Sequence, residues 1–483
     1  MAYIDKYGVK FSDDRKTLLS CPENTEREYE IPYGVTCVYW GAFSKCKNLN
    51  HITIPDSVTT IKSGAFSNCS NLKKLYIPKS VTSLYANLID GCCALESISV
   101  SPENPIFDSR ENCNAIILSS KNLLCFACKN TIIPNTVIAI REGAFSHCKG
   151  MHSIVIPKSV VAISKSAFIR CDDVESISVS ADNHTYDSRY NCNAIIESAS
   201  NSLIYGCKNT VIYPDIKSIS SHAFEMCNNW TSLHIYSKIQ HIDTEAFYAC
   251  FNIKSILVSK ENQVYDSRNF CNAIIEKASN TLIYGCAKTV IPNDVSIIGD
   301  SAFQLCTLID VKIPYGVNHI GEKAFLGCFR LISVELPASI ETVGEGAFSC
   351  CERLTSIIVP LGQEERFAKM DGLRGYADVI KKTSERRLAH TQDEEINKQK
   401  KALLIDMAKD IAELNNQRKN ISPKEKIKRE STSSDNGQKE RNRIVIIIIT
   451  IILGLTMLFN AKCNKSRSNY HNYFDPSMEY RHT

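Results

Sequence analysis

A chain of 483 residues is long enough to bury a large apolar core, because the buried share of the surface rises with chain length. The formal net charge is only +4 and charged residues make up 22% of the sequence, so no strong basic field predicts a nucleic-acid partner. The sequence contains no glycine-rich phosphate loop, no HExxH and no GxSxG, and its 11 histidines are scattered, with His51, His152 and His234 on predicted strands away from carboxylates. We therefore expect no enzymatic activity, no cofactor and no metal.

The first residues of the sequence carry no export signal. A secretory signal has an apolar core of about 7 to 15 residues, and MAYIDKYGVKFSDDRK contains no such run. The sequence therefore gives no support of its own to export of the chain.

A phenylalanine stands three positions before a cysteine at regular intervals. Nine copies have Phe, and a tenth has Ile89 before Cys92. The spacings between successive copies are 23, 23, 56, 23, 56, 23, 56, 22 and 23 residues, so the basic unit has 23 residues and three gaps carry 33 more. A short period of this regularity is typical of solenoid proteins. The copies with Phe are Phe43/Cys46, Phe66/Cys69, Phe145/Cys148, Phe168/Cys171, Phe224/Cys227, Phe247/Cys250, Phe303/Cys306, Phe325/Cys328 and Phe348/Cys351.

Each unit predicts one short strand. The segments LNHITIP (Leu49 to Pro55), LIDVKIP (Leu308 to Pro314) and LISVELP (Leu331 to Pro337) alternate in polarity before the proline, as half-buried strands do. Proline cannot donate to a sheet ladder, so it ends each strand. One unit cannot bury its apolar side alone, and we therefore expect the units to stack with Phe and Cys in columns. Ile89 keeps the column apolar in the copy that lacks Phe.

Most of the cysteines belong to the repeat. Sixteen of the 22 recur with its period, which favours packing over redox chemistry because cysteine is small and often buried. We predict buried free thiols, and disulfides between neighbouring units are the alternative. Cys125-x-x-Cys128 has no second pair at zinc-ribbon spacing, so we do not expect it to bind a metal.

The three 33-residue insertions resemble one another. They read FDSRENCNAII from Phe107, YDSRYNCNAII from Tyr186 and YDSRNFCNAII from Tyr265, which places equivalent residues 79 positions apart. Two apolar runs around a polar turn predict a hairpin in each insertion. The triplet Asp187-Ser188-Arg189 predicts a turn in which Asp and Ser bond the local backbone. A binding triplet that is presented three times is the alternative.

The unit IPDSVTTIKSGAFSNCSNLKKLYIP (Ile54 to Pro78) resembles the BspA-type leucine-rich repeat, and the resemblance extends from about Tyr3 to Pro360. It implies an α/β repeat solenoid, a right-handed horseshoe or superhelix with a sheet along one face. Residues 1–34 are similar to the N-terminal cap of such arrays, and residues 35–360 then form the solenoid, with ten units of 22–23 residues and three insertions. Members of the family are often surface proteins that attach to host proteins or to other cells, so the resemblance implies a binding role.

The repeat stops after Pro360. The residues Phe367, Met370, Leu373 and Tyr376 recur every three positions, which predicts that a helical cap or stalk occupies residues 361–420. This stalk is either a polar spacer or a weak oligomerisation element. A polar linker at 421–443 follows, with the composition of an unstructured segment.

An apolar run of 16 residues, Ile444 to Phe459, predicts a transmembrane helix over residues 444–461, with a short polar tail at 462–483. More lysine and arginine residues precede this run than follow it, so the positive-inside rule favours a cytoplasmic repeat domain. The family resemblance favours the cell surface instead, and both locations remain open.

Two functions are therefore weighed. The first is a non-enzymatic, membrane-anchored protein that binds other proteins through its solenoid surface, for example in cell-surface adhesion. The second is a cytoplasm-facing, tail-anchored structural scaffold. The strand position before the last apolar residue differs between repeats, and a binding surface is expected to vary in this way. It predicts Tyr76, His234, Lys312 and Glu335 as protein-binding residues.

Overall fold

The computed structural model describes residues 2–228 and 230–382. All of them belong to the first of two compact units of the chain, Met1–Leu403. The predicted stalk beyond residue 382, the linker 421–443, the transmembrane helix 444–461 and the tail 462–483 lie outside the described residues. Within the described part of the chain, no helix is both long and apolar enough to cross a bilayer.

Twelve short strands, here called the front strands, carry the alternating part of each repeat. In Lys74–Ile77 the side chains of Leu75 and Ile77 are buried and those of Lys74 and Tyr76 are exposed, as a period of two requires. Paired front strands are parallel and in register, with Leu75 opposite Ile98. The front strands are Glu28–Glu30, His51–Thr53, Lys74–Ile77, Ser97–Val100, Ser153–Ile156, Ser176–Val179, Ser232–Ile235, Ser255–Val258, Asp310–Lys312, Ser333–Glu335, Ser356–Val359 and Ile380–Lys382.

A second set of strands, the back strands, forms separate sheets. The chain alternates between the two sets, so a standard repeat contributes one strand to each. Two further antiparallel strands, Tyr3–Ile4 and Lys10–Phe11, lead into the first back strand and form the N-terminal edge of its sheet. The back strands are Thr17–Ser20, Cys37–Val38, Thr60–Ile61, Ser83–Leu84, Ala139–Ile140, Ala162–Ile163, Ser218–Ile219, His241–Ile242, Ile297–Ile298, His319–Ile320 and Thr342–Val343.

Each insertion forms a hairpin preceded by a short third strand. In the first insertion Ala115–Leu118 pairs in antiparallel fashion with Leu123–Ala127, which in turn pairs in parallel with the back strand Ala139–Ile140. The second hairpin strand thus takes the place of a back strand, and the stack continues through the insertion. The insertion strands are Phe107–Asp108, Ala115–Leu118 and Leu123–Ala127, then Tyr186–Asp187, Ala194–Glu197 and Ser202–Gly206, then Tyr265–Asp266, Ala273–Glu276 and Thr281–Gly285.

Aromatic rings form the predicted column through the core. The ring centroids of Phe303 and Phe325 are 5.1 Å apart, and those of Phe325 and Phe348 are 5.2 Å apart. In the second and third insertions a tyrosine extends the column, as Tyr205 does at 4.9 Å from Phe168 and Tyr284 at 5.2 Å from Phe247. These buried rings supply much of the apolar area that stabilises each pair of repeats.

In six of the ten motifs the cysteine thiol donates a hydrogen bond to a buried backbone carbonyl of the preceding repeat. The thiol of Cys171 donates to the carbonyl of Phe145, with 3.0 Å between Sγ and O, and the amide of Cys148 donates to the same oxygen at 3.1 Å. The thiol therefore satisfies the second lone pair of a buried carbonyl from the preceding repeat. The same contact, at 3.0–3.1 Å, is made by Cys69, Cys92, Cys250, Cys328 and Cys351.

The prediction of buried free thiols agrees with this arrangement. All 21 described cysteines are free, and 17 of them are buried. Burial raises the pKa of the Cys250 thiol to about 12, because a thiolate would lose its hydration there. A protonated thiol is what the hydrogen bond to the carbonyl requires.

The prediction of an α/β class is wrong for the described residues. Their only α-helix is Glu364–Ala368, and turns connect the front and back strands elsewhere. The amides of the Ala-Phe-x-x-Cys turn are used between repeats, since the Phe43 amide donates to the carbonyl of Ala65 at 2.8 Å. Residues such as Asn68 also adopt positive φ, which a right-handed helix excludes. The solenoid is a β-solenoid of the leucine-rich repeat type.

The predicted helical cap also differs from the structure over residues 361–382. The helix ends at Ala368, and the front strand Ile380–Lys382 pairs in parallel with Ser356–Val359. Met370 is extended, with a ψ of 139°, and Gly375 has a φ of +91°, so the backbone leaves the predicted helix well before Tyr376. The described 3₁₀ segments are Arg110–Asn112, Ser119–Lys121, Arg189–Asn191, Arg268–Phe270, Asp371–Leu373 and Ala377–Val379.

Tyr376 closes the solenoid at this end. Its hydroxyl donates to the carbonyl of Phe348 at 2.8 Å, where the thiol of a following repeat would otherwise donate. Its ring contacts Phe348 edge-on, with centroids 6.4 Å apart. A tyrosine thus replaces both members of the Phe and Cys columns at the last repeat.

Replacing Cys171 with alanine should lower the free energy of unfolding by about 1–2 kcal/mol, because a buried carbonyl loses a donor and a small cavity forms. Urea unfolding of the Cys171→Ala variant measures this loss. Cys350 is exposed, so Cys350→Ala is the matched control and should change stability by less than about 0.5 kcal/mol. Equal losses in the two variants would contradict a structural role for the thiol.

Candidate functional site

Each of the first eleven front strands presents one outward side chain between two apolar residues that face the core. The outward residue differs between repeats. The register places these side chains opposite one another within each sheet, as Tyr76 is opposite Ser99 and Lys312 is opposite Glu335. On the first eleven front strands, in order along the chain, the variable residues are Glu30, Thr53, Tyr76, Ser99, Val155, Ser178, His234, Leu257, Lys312, Glu335 and Ile358. The strands that carry this row keep their apolar core residues, and the outward residue varies in size and charge, as is expected of a recognition surface.

The four residues predicted to bind protein lie in this row but differ in how available they are. Tyr76 is 48% exposed. Lys312 and Glu335 are half-buried and form an ion pair with each other, with 3.3 Å between Nζ and Oε1. The structure brings only these two together, because Tyr76 and His234 lie in two other sheets.

His234 is the least available of the four. Its ring is half-buried, with its centroid 4.2 Å from that of Tyr236, and Nε2 is 3.2 Å from the hydroxyl of Ser259. Burial lowers the pKa of His234, because the charged imidazolium would be poorly hydrated. Its neighbours thus occupy much of the surface that a partner would contact.

Sequence reasoning missed Val155, which is 60% exposed in the same row. Valine is apolar and stands between Ile154 and Ile156, so the sequence suggests that all three side chains are buried. The alternation of the strand places it outward all the same. Tyr76 and Val155 are therefore the most accessible large side chains that the row offers.

The Asp-Ser-Arg triplets form turns and fix each insertion in place. Asp187 accepts hydrogen bonds from the amide and from Nε of Arg189, at 3.0 and 2.8 Å. Ser188 donates to the carbonyl of Ile177 at 3.2 Å, which ties the insertion to a front strand. Equivalent bonds occur in the first and third insertions. The turn interpretation of the triplet is therefore confirmed.

Each triplet is followed by two exposed residues at the tip of the insertion. Tyr190 and Asn191 have φ values of 58° and 54°, in the left-handed region. The same conformation occurs at Glu111 and Asn112, and at Asn269 and Phe270. Tyr190 is 70% exposed and lies 4.9 Å from the ring of Tyr213. Sequence reasoning overlooked these tips, although they are the variable pair inside DSRxxCNAII.

A groove of about 350 Å³ separates the first triplet from the adjacent front strand. Ser97–Pro102 forms one wall, and Asp108, Ser109, Arg110, Asn112 and Asn114 form the other. The lining combines apolar surface with hydroxyl and amide groups that could receive side chains of a partner.

A row of charged side chains crosses several repeats at their Ala-Phe-x-x-Cys turns. It begins with Asp90, whose Oδ1 is 2.6 Å from Nδ1 of His147. Burial raises the pKa of Asp90, but hydrogen bonds from His147 and Ser146 outweigh burial and hold it below its ordinary value. Nε2 of His147 is 3.4 Å from a guanidinium nitrogen of Arg170, which carries the row into the next repeat.

The row continues through a buried carboxylate. Nε of Arg170 is 3.5 Å from Oε1 of Glu225, and Oε2 of Glu225 is 3.1 Å from Nδ1 of His222. His222 also lies 3.2 Å from Glu245 in the following repeat. The carboxylate of Glu225 raises the pKa of His222 above its ordinary value, and Glu245 adds to the effect. The row therefore stabilises the stack of repeats electrostatically.

Cys125 lies in the second hairpin strand of the first insertion, Leu123–Ala127, and Cys128 directly follows it. Over residues 2–228 and 230–382, no three His, Cys, Asp or Glu side chains are placed to hold an ion. The thiols of Cys125 and Cys128 donate to different carbonyls, those of Leu123 and Asn114. They serve the backbone of the hairpin.

Comparisons with known proteins agree with this architecture. A family model described as the BspA type leucine rich repeat region, in six copies, matches residues 23–123, 118–202, 191–282 and 283–368. No curated protein sequence matches the chain.

Several solved structures are similar to the chain at low identity. One is a leucine rich cell surface protein from Faecalibacterium prausnitzii A2-165, with 21% identity, a TM-score of 0.38 and coverage of 77% of this chain and 98% of that one. Another is a leucine-rich repeat protein from Eubacterium ventriosum, with 17% identity, a TM-score of 0.40 and coverage of 72% and 94%. A third is the pneumococcal vaccine antigen PcpA, with 15% identity, a TM-score of 0.35 and coverage of 79% and 77%.

The His222 contacts predict a pH dependence of stability. Because the folded-state pKa of His222 is raised, its contribution is present below its unfolded pKa of about 6.5 and is lost as pH rises through the folded value. The stability difference between the wild type and His222→Gln should therefore be larger near about pH 5.5 than near about pH 8.5. Urea unfolding at the two pH values measures it. His51 is exposed on a front strand, so His51→Gln should show no such change, and an equal change in both variants would refute the assignment.

Proposed function

Because this chain belongs to the BspA-type leucine-rich repeat family, we propose that it is a non-enzymatic protein that binds other proteins through its solenoid surface. The observation that carries the proposal is the row of front-strand side chains. Its neighbours on either side stay apolar, while the outward residue differs between repeats and includes tyrosine, serine, valine, histidine and leucine. A spacer would need no such variation, and fold alone does not define a partner, so the proposal depends on these residues.

The contact should centre on Tyr76 and Val155. Large exposed aromatic side chains contribute strongly to protein interfaces, because they bury much area at a low cost in side-chain entropy. Lys312 and Glu335 already neutralise each other across their strands, so they are better suited to the polar rim of an interface. His234 is half-buried and should contribute less than Tyr76.

Site-specific photocrosslinking tests the proposal. Tyr76→p-benzoyl-Phe in the full-length chain should give a discrete protein adduct after irradiation of cells. Tyr315→p-benzoyl-Phe is the matched control, since Tyr315 is 74% exposed but lies in the turn after Pro314, outside the front strands. The same adducts from both positions, or none from position 76, would count against the front-strand surface.

The proposal includes a membrane anchor formed by residues 444–461. The apolar run Ile444 to Phe459 supports it, and the family resemblance supports a repeat domain at the cell surface with a role in adhesion. A cytoplasm-facing, tail-anchored scaffold is the second candidate. The free cysteines of the described residues favour it, because disulfides are common in exported proteins, and so does the excess of Lys and Arg before the run.

Alkaline carbonate extraction tests the anchor. The full-length chain should stay in the membrane pellet, and a variant with Ile448→Lys and Leu453→Lys should be released, because each charge opposes insertion by about 2.5–3.5 kcal/mol. Release of the wild-type chain into the soluble fraction would refute the membrane anchor. Protease added to intact cells then separates the candidates, since it cleaves the repeats only if they lie outside.

A further inference from the structure

The three insertions act as internal comparisons for one another. In the second insertion Nη1 of Arg189 donates to Asn201 at 2.7 Å and also to Asp215 at 2.7 Å. In the third, Nη1 of Arg268 donates to Asn280 at 3.0 Å and to Asp294 at 3.1 Å. Each of these arginines therefore holds a second carboxylate besides the aspartate of its own triplet.

The first insertion lacks this second carboxylate. Arg110 bonds Asp108 through Nε and Nη2 at 2.7 and 2.5 Å, and its Nη1 donates to Asn122 at 2.7 Å. The position equivalent to Asp215 and Asp294 is Thr136. Among the described residues, Asp108 is the one carboxylate that pairs with Arg110. Nη1 of the arginine thus binds a carboxylate in the second and third insertions, but it binds no carboxylate in the first.

The backbone around this position is the same in all three insertions. The amide of Val137 donates to the carbonyl of Pro134 at 3.0 Å, as Ile216 does to Tyr213 and Val295 to Pro292. The amides of Ile138, Lys217 and Ser296 donate to the asparagines that bind the arginines. Thr136 therefore occupies the same site as Asp215 on the same turn, and its side chain is exposed.

The surrounding charges also differ in the direction that favours an anion. Leu118 replaces the carboxylates of Glu197 and Glu276 at the equivalent positions. Lys121, beside Asn122, replaces the neutral Ser200 and Ser279. Glu111 directly follows Arg110, where the second insertion has Tyr190, so the first insertion has a net one fewer carboxylate and one more cation than the second.

We propose that Arg110 is a binding site for a carboxylate group that a partner protein supplies from an acidic side chain. Asp215 and Asp294 show how such a group is held, through Nη1 beside the asparagine. In the second and third insertions this place is taken by an aspartate side chain on a turn. The surface at Thr136 is open, whereas small ligands bind in enclosed pockets, so a side chain of a large partner fits it better. The inference deepens the proposed function and rests on it for the identity of the partner as a protein. The bond would be charge-assisted and directional, and would add specificity to the contact.

Arginine modification by phenylglyoxal, resolved by peptide mapping of the full-length chain, tests the site. Arg110 should react severalfold faster than Arg189 and Arg268 in the same molecule, because its Nη1 binds only the neutral Asn122 and no second carboxylate holds the guanidinium. N-acetyl-aspartate amide should slow the reaction at Arg110 alone, and N-acetyl-asparagine amide at the same ionic strength should not. Equal rates at the three arginines, or equal protection by both probes, would overturn the proposal.

Two variants exchange the residues that differ between the insertions. Thr136→Asp should slow the modification of Arg110 to the rate of its sisters and abolish protection by the aspartate probe. Asp215→Thr should speed the modification of Arg189 and make it sensitive to the probe. Both changes place a residue that the same turn already accepts in another insertion, so the fold should be retained. An unchanged Arg110 rate in Thr136→Asp would show that the site does not exist.

The assay separates this inference from the proposed function. No partner protein takes part in it, so failed photocrosslinking at Tyr76 would leave the arginine result intact. Conversely, slow modification of Arg110 that the aspartate probe does not change would refute the carboxylate site. That result would not affect the proposed front-strand surface.

Discussion

The stacking of one Ala-Phe-x-x-Cys turn on the next is the constraint on which the rest of the structure depends. The Phe66 amide donates to the carbonyl of Leu88 in the following repeat, and the Cys92 thiol donates back to the carbonyl of Phe66. These bonds act in a water-poor core, where an unpaired carbonyl would be costly. They hold successive turns in register, and the strands on either side inherit that register.

A frame of this kind lets surface chemistry vary without loss of the fold. The front strands keep two buried apolar residues and leave the residue between them free to change. The insertions extend the same logic, because their second hairpin strand replaces a back strand and the aromatic column passes through Tyr205 and Tyr284. The invariant Asp, Ser and Arg of each insertion support its turn, and the tip residues and Thr136 differ. We therefore expect partner recognition at the positions whose residues differ between repeats.

Much of this could be read from the sequence because it is periodic. The alternation before each proline, the Phe and Cys columns and the insertion hairpins are local patterns that recur, so each copy supports the others. The segment after Pro360 could not be read correctly, because the spacing of its apolar residues does not reveal that the backbone leaves the helix after Ala368 and is extended at Met370. The charged row from Asp90 to Glu245 joins residues far apart in sequence that no spacing rule relates. The Arg110 site also needed the structure, since the role of Asp215 is visible only once its carboxylate is seen on Arg189.

Site-resolved alkylation of the native, full-length chain would test the stacking account most directly. Iodoacetamide followed by peptide mapping reports how accessible each thiol is. The account predicts rapid labelling of Cys350, which is exposed, and labelling of Cys69, Cys171 and Cys250 only as fast as the protein unfolds. Comparable native-state labelling of these buried cysteines, or their recovery as disulfides, would show that the thiols do not hold the repeats together.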